Sequence, residues 1–289
     1  MQDLFEVENS MNGEWLPKAA VEFDLRQDVL LYASASKAIR NGGLNSSFTV
    51  AQADEIDNED ISYDPDEMWA YEAGVKSQWL DNTLVINGSV FYNKWNDIQT
   101  LIGTSAGSLF ENAGEAVSTG FELEGFWQIN DWISFTSAFN YTKSEFKDRQ
   151  VWETPESLVI SQLLGNPPNI IEDGNQLPNV PEYSLSLAVD VVYPTALTDI
   201  DFTGHLDYQW VDERYQNSVN DPALLLPDYA LSNLRLGLQS ENWSVVGYVS
   251  NLSNEISPQS ILRVGPGGST RAAYLNRPRT WGLNLTYSF

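Results

Sequence analysis

The sequence contains no cysteine among its 289 residues. Disulfides, thiolate metal sites and a cysteine nucleophile are therefore excluded. Basic residues are also scarce: 15 Lys and Arg stand against 40 Asp and Glu, for a formal net charge of −25. A chain with this balance has no basic face to offer nucleic-acid phosphates, so nucleic acid is not an expected partner. Long apolar runs are missing, and none approaches the ~18–20 residues of a membrane-spanning helix. The opening "MQDLFEVENS" lacks the positive, hydrophobic start of a signal peptide. For a secreted or membrane protein, the expectation is then that an N-terminal part has been processed or is missing.

What is present is aromatic and alternating. Aromatics make up 12% of the chain, including 10 Trp and 13 Tyr, so the acidic composition is not that of a disordered protein. Period-two alternation recurs throughout. "FTGHLDYQW" places Phe202, Gly204, Leu206, Tyr208 and Trp210 on one face, against Thr203, His205, Asp207 and Gln209. "YSLSLAVDVVY" sets Tyr183, Leu185, Leu187, Val189, Val191 and Tyr193 against Ser184, Ser186, Ala188 and Asp190. "STGFELEGFWQI" sets Phe121, Leu123, Trp127 and Ile129 against Glu122 and Glu124. About eleven such segments are expected, beginning near residues 14, 28, 67, 83, 112, 132, 180, 199, 228, 242 and 272.

Short turn-like connections ("RQD" 26–28, "LDN" 80–82, "IND" 129–131, "YPTALTD" 193–199, "SEN" 240–242) alternate with long polar stretches. The latter are 39–66, 101–111, 147–179, 212–227 and 253–272. Short, long, short, long describes an antiparallel meander with its long loops at one end, as in transmembrane β-barrels. The fold expected is all-β, with apolar side chains toward lipid and Glu122, Glu124, Asp207 and Gln209 toward a wet lumen. Trp69, Trp79, Trp127, Trp132, Trp210, Trp243 and Trp281 fall near strand ends, where aromatic girdles sit.

Several segments resemble the barrel of TonB-dependent outer-membrane receptors. They are "LLYASASKAIRNGGLN" (30–45), "YEAGVKSQWLDNTLVINGSVFYNKWNDIQ" (71–99), "NAGEAVSTGFELEGFW" (112–127) and, within 226–255, "LPDYALSNLRLGL" and "WSVVGYVSNLSNE" with Asn251–Leu252. The similarity runs through most of 14–289 and leaves the long loops unmatched. It implies an outer-membrane location and roughly the C-terminal half of a ~22-stranded barrel. Residues 14–289 are then barrel, and 1–13 a preceding loop or truncated strand. The family's N-terminal plug has no counterpart in this sequence, so the chain is expected to be a fragment or a C-terminal half. Such receptors take up scarce ligands, commonly ferric siderophores, sometimes cobalamin or oligosaccharides. TonB supplies the energy through the plug, and no resident metal, cofactor or covalent chemistry is implied.

Individual residues suggest little catalysis. His205 is the only histidine and lies mid-strand on a polar face, where a hydrogen-bonded lumen residue is the expectation. "GPGGST" (265–270) lacks the Lys-Ser/Thr of a phosphate cradle and reads as a mobile loop tip. "ADEIDNEDISYDPDE" (53–67) carries eight carboxylates without calcium-loop spacing. It reads as a solvated loop, with a loose cation site bridging to lipopolysaccharide as the alternative. Arg263, Arg271, Arg277 and Arg279 crowd the last long loop against the acidic background. Guanidinium forks suit carboxylates and phosphates, so a small anionic ligand, outer-leaflet lipid phosphates or acidic lumen neighbours are the candidate partners. Trp152 and Tyr215 are candidate stacking residues. The closing "WGLNLTYSF" places Trp281, Leu283, Leu285, Tyr287 and Phe289 on one face. That pattern resembles the terminal signal by which the barrel-assembly machinery recognises its clients, with Phe289 as the end of a mature barrel. Rival readings are a passive porin-like channel, an outer-membrane hydrolase and a secreted glycan-binding β-sandwich.

Overall fold

The computed structural model describes residues 13, 15–46, 62–104, 107–152, 158–159, 163, 167–197, 199–264 and 270–289. Eleven strands form one antiparallel sheet in strict sequence order. They are β1 (Lys18–Arg26), β2 (Val29–Arg40), β3 (Asp66–Trp79), β4 (Leu84–Asn96), β5 (Ala116–Asn130) and β6 (Ile133–Phe146), followed by β7 (Tyr183–Pro194), β8 (Asp201–Val211), β9 (Tyr229–Gln239), β10 (Trp243–Ser250) and β11 (Thr280–Tyr287). The strand number matches the sequence reading. Ten of the starts lie within about four residues of expectation. The eleventh is a correction: a strand does cover 270–275, but it belongs to a separate two-stranded ribbon with Pro258–Val264. Pro278, which has no N–H for a ladder, separates that ribbon from β11.

The ladder fixes which side chains share a face, because directly opposed residues point the same way. One row reads Ala33, Ala73, Val90, Phe121, Tyr141, Tyr183 across β2 to β7. Another reads Val191, Gly204, Leu236, Gly247, Leu283 across β7 to β11. The opposite face carries Glu22, Tyr32, Gly74, Ser89, Glu122, Asn140 and Ser184 in one row. The apolar face is uncovered: Val90 in mid-sheet is 58% exposed, and Leu283 and Leu285 are 61% and 70%. Contiguous apolar surface of this extent needs an apolar medium against it.

Aromatics bound that apolar band at both ends. Toward the long loops lie Trp69, Tyr71, Tyr92, Tyr141 and Tyr183, with Trp69 stacked near Tyr71 and Tyr141 5.0 Å from Tyr183. Toward the short turns lie Trp79, under the Arg26 guanidinium, and Trp132, edge-on to Tyr193. Trp69 and Trp79 are ten residues apart on β3, about 34 Å along a strand and about 26 Å at a barrel's usual tilt. That is the height of a hydrocarbon core.

Each long connection carries its own two-stranded ribbon, so the stretches read as irregular polar loops are partly folded. We denote them L1 (41–65), L2 (97–115), L3 (147–182), L4 (212–228) and L5 (251–279). Their ribbons pair Gly43–Leu44 with Ser62–Tyr63, Gln99–Thr104 with Gly107–Asn112, Gln150–Val151 with Ile170–Ile171, Arg214–Tyr215 with Leu225–Leu226, and Pro258–Val264 with Thr270–Leu275. The dry core sits here, where the loops L2 and L3 meet the ends of β5 and β6. Ile98, Ala113, Ala116, Phe146, Ile171 and Leu177 cluster, with Trp95 and Trp152 packed against them. The short turns use left-handed backbone at Leu80, Asp81, Asn82 and Asp199. Among the described residues β1 and β11 are unpaired edges, so the sheet is open.

Candidate functional site

The loop layer is stitched together by side-chain amides that imitate backbone. Asn45 of L1 donates to the Phe110 carbonyl and accepts from the Phe110 N–H in L2, both at 2.8 Å. Asn220 of L4 repeats the arrangement on Gln176 of L3, at 2.9 and 2.7 Å. Gln216 of L4 accepts from the Ile261 N–H of L5 at 2.6 Å and donates to Ser260 at 3.2 Å. Thr100 of L2 meets Ser218 of L4 through their hydroxyls, and Asn169 of L3 donates to the Gly103 carbonyl of L2. Every adjacent pair of long loops is thus tied, and L2 also reaches L4. Buried backbone groups need partners, and these amides supply them where no strand can.

Two ion pairs anchor the layer. Asp66, at the start of β3, has a side chain only 4% exposed. It accepts from the Gln99 N–H at 2.9 Å and from the Arg40 guanidinium, whose Nε lies at 3.1 Å. Arg40 also donates to the Gln99 carbonyl at 2.9 Å, and the Gln99 amide donates to the carbonyls of Asn41 and Asp64. The second anchor joins L4 to L5: Arg263 donates Nε and Nη2 to the buried Asp221 Oδ2 at 2.9 and 2.6 Å. Asp221 also accepts from the Ala223 N–H at 2.9 Å, capping the short 3-10 turn Pro222–Leu224.

The four arginines singled out by sequence divide accordingly. Arg263 is held by Asp221, and Arg271 sits directly opposite it on the L5 ribbon. Arg271 is exposed and gives one hydrogen bond to the Ala223 carbonyl at 3.2 Å. Arg277 and Arg279 follow the ribbon, exposed, and their backbone groups bond Asn251 and Asn254. Asn251, buried and left-handed, organises this end of L5. Its side chain accepts from the Glu255 N–H and donates to the carbonyls of Glu255 and Arg277. Of the stacking candidates, Trp152 is half-buried against the loop core, and Tyr215 pairs with Leu225 in the L4 ribbon.

Other sequence candidates separate clearly. His205 lies on the polar face between two carboxylates, with Nδ1 2.7 Å from Asp190 and Nε2 3.3 Å from Asp207, as expected of a hydrogen-bonded residue there. Most of the acidic stretch 53–67 falls outside the described residues. Of its described members, Asp66 holds Arg40 and Glu67 pairs with Lys37. The tip 265–269 also lies outside them. A cavity of about 630 Å³ opens between the short turns at 194–201 and 239–241, at the far end from the loop layer. On β11, Trp281, Leu283, Leu285 and Tyr287 share the apolar face, and Phe289 packs edge-on to Tyr287 at 5.1 Å. Sequence reasoning missed the amide clamps and the Arg40–Asp66–Gln99 hub. Their only outward sign is the density of Asn and Gln in the loops.

Comparison with known proteins places this architecture. The metal-pseudopaline receptor CntO of Pseudomonas aeruginosa is 30% identical over 173 residues, covering 59% of this chain and 20% of that protein. The pesticin receptor of Yersinia pestis is 28% identical over 222 residues, covering 76% of this chain and 28% of its own length. The crystal structure of the ferric yersiniabactin uptake receptor FyuA from Yersinia pestis superposes with a TM-score of 0.72 at 22% identity, covering 95% of this chain and 37% of that one. The chain therefore spans well under half the length of each relative. Residues 4–252 match the family model described as TonB dependent receptor-like, beta-barrel. The chain belongs to the TonB-dependent receptor β-barrel family.

Proposed function

We propose that the chain forms wall and extracellular mouth of an outer-membrane receptor that captures an anionic metal chelate, a ferric siderophore being the leading candidate. The relatives' names support the ligand class, since they are receptors for metal-pseudopaline and ferric yersiniabactin. The structural observation that carries the reading is the loop layer, folded as one hydrogen-bonded unit and presenting Arg271, Arg277 and Arg279 in a chain of net charge −25. Guanidinium groups offer fork-shaped donors to the carboxylates and phenolates of a chelate. Arg263 is a positioning residue here, holding the L5 ribbon against L4.

In this reading the long loops face outward, the polar face lines the lumen, and further strands close the sheet against β1 and β11. An open edge is not viable in lipid. Transport is driven through TonB acting on a plug in the lumen, with no bond made or broken in the ligand. Trp281, Leu283, Leu285, Tyr287 and Phe289 serve barrel assembly. The test is equilibrium binding to the full-length receptor by tryptophan fluorescence, using ferric catecholate, ferric hydroxamate and metallophore chelates, with cobalamin and an oligosaccharide alongside. Tight binding of one chelate, weakened about tenfold or more by joint Arg271→Gln, Arg277→Gln and Arg279→Gln, is the expected result. Binding of none of them would end the proposal; unchanged affinity in the triple variant would remove the arginines from it.

A further inference from the structure

Arg214 stands apart from the arginines described so far. It lies in L4, where the two-residue ribbon sets it directly opposite Leu226, a side chain with no solvent exposure. Its guanidinium carbon sits 5.7 Å from the centre of the Tyr229 ring, within cation–π range. Tyr229 opens β9, and its register gives the direction. The polar-face row of Glu122, Asn140 and Ser184 continues through Val211 to Tyr229. The head of Arg214 is therefore at the loop end of the polar face, over the mouth of the lumen.

Among the described residues this guanidinium has no hydrogen bond and no ion pair. Nη1 is enclosed without an acceptor, while Nε and Nη2 are equally unbonded but not enclosed. The nearby carboxylates are engaged elsewhere or turned away. Asp228 accepts from Trp210 Nε1 at 3.3 Å and Asp212 acts on Tyr183, both aromatics of the apolar face. Glu213, the exposed chain neighbour, makes no ion pair with it. An enclosed donor without an acceptor costs stability, so its retention calls for a partner from outside the wall. The free edge, Nε with Nη2, is the one Arg263 uses on Asp221, at 2.9 and 2.6 Å. That edge matches a carboxylate side-on. With Nη1 enclosed and the guanidinium resting on Tyr229, the fork is ordered before a ligand arrives, which lowers the cost of binding.

We propose that Arg214 is a specificity-determining residue: its Nε–Nη2 edge receives an uncoordinated carboxylate of the bound chelate, so the receptor selects carboxylate-bearing chelates over those without one. The inference rests on the chelate reading above and narrows it. The experiment is isothermal titration calorimetry on the full-length receptor with four chelates. Ferric citrate and N-succinyl ferrioxamine B carry uncoordinated carboxylates; N-acetyl ferrioxamine B and a ferric tris-catecholate carry none. One of the first pair should bind tightest. Converting its uncoordinated carboxylates to primary amides should weaken binding to wild type about tenfold to a hundredfold, the range for a hydrogen bond to a charged group. Arg214→Gln should weaken the carboxylate form by the same factor and leave the amide form unchanged. Arg214→Lys, a point charge without the fork, should also be about tenfold weaker or more. Arg149→Gln, which removes a loop cation already held by Glu172, should bind as wild type. If Arg214→Gln fails to fold, Tyr229→Leu is read in its place and should weaken the carboxylate form about threefold or more. Tightest binding of a chelate without a carboxylate, equal binding of acid and amide, unchanged affinity in the folded variant, full rescue by Arg214→Lys or equal loss in Arg149→Gln overturns the assignment and leaves the chelate reading standing. Binding of none of the four would instead refute the chelate reading beneath it.

Discussion

The Arg40–Asp66 pair should break unequally depending on which partner is removed. Asp66 is 4% exposed in its side chain, whereas Arg40 is 54% exposed. Arg40→Met leaves a buried carboxylate with the Gln99 N–H as its one remaining donor among the contacts described above. Uncompensated buried charge costs about 3–5 kcal/mol, and the lower end applies because the vacated guanidinium site admits water. Asp66→Asn keeps an acceptor for the Gln99 N–H and frees an arginine that already reaches solvent, so about 1 kcal/mol is expected. The hub joins L1, L2 and β3, so the cost falls on local opening of the loop layer rather than on the sheet. The assay is amide hydrogen exchange over residues 97–104 in the full-length receptor. Arg40→Met should accelerate exchange about a hundredfold or more and Asp66→Asn less than about tenfold, given a factor of ten per 1.4 kcal/mol. The double change should lie near Asp66→Asn, because the stranded charge is gone. Equal effects, or the reverse order, would refute the reasoning.

Two further outcomes concern the wall. A Cβ on Gly74 would lie 2.7 Å from both the Gly88 carbonyl oxygen and the Tyr32 ring, so Gly74→Ala should cost about 1–3 kcal/mol by overpacking. A lower temperature at which the heat-modifiable band unfolds on gels checks this, and an unchanged midpoint contradicts it. Deleting Phe289 from the full-length receptor should reduce its outer-membrane level several-fold without altering the β11 register; normal levels would show that Phe289 has no assembly role.

The wall was legible in the sequence because each strand meets two different media, and that forces a period of two. Phe121, Leu123 and Trp127 against Glu122 and Glu124 could be read without any neighbour. The start of the last strand was misplaced because residues 270–275 are a genuine strand, and only pairing reveals that they belong to L5. The loop layer was illegible for a different reason. Asn45 and Phe110 are 65 residues apart, and Thr100 and Ser218 are 118 apart. An amide becomes a clamp only when a distant backbone presents an unpaired N–H and C=O, and no local pattern records that. The arginine cluster was visible as composition, but the buried Asp221 that engages Arg263 was not.

The alternation of faces is the claim on which everything else depends, and with no cysteine among these 289 residues it is directly measurable once any cysteine elsewhere in the full-length receptor is replaced by serine. Phe121→Cys, Glu122→Cys, Leu123→Cys and Glu124→Cys in the full-length receptor, each spin-labelled in native outer membranes, give four successive positions on β5. Collision with dissolved oxygen should dominate at 121 and 123, and collision with a water-soluble nickel complex at 122 and 124. Accessibility that fails to alternate, or alternates in the opposite phase, would contradict a wall with lipid on the Phe121 side and a wet lumen on the Glu122 side.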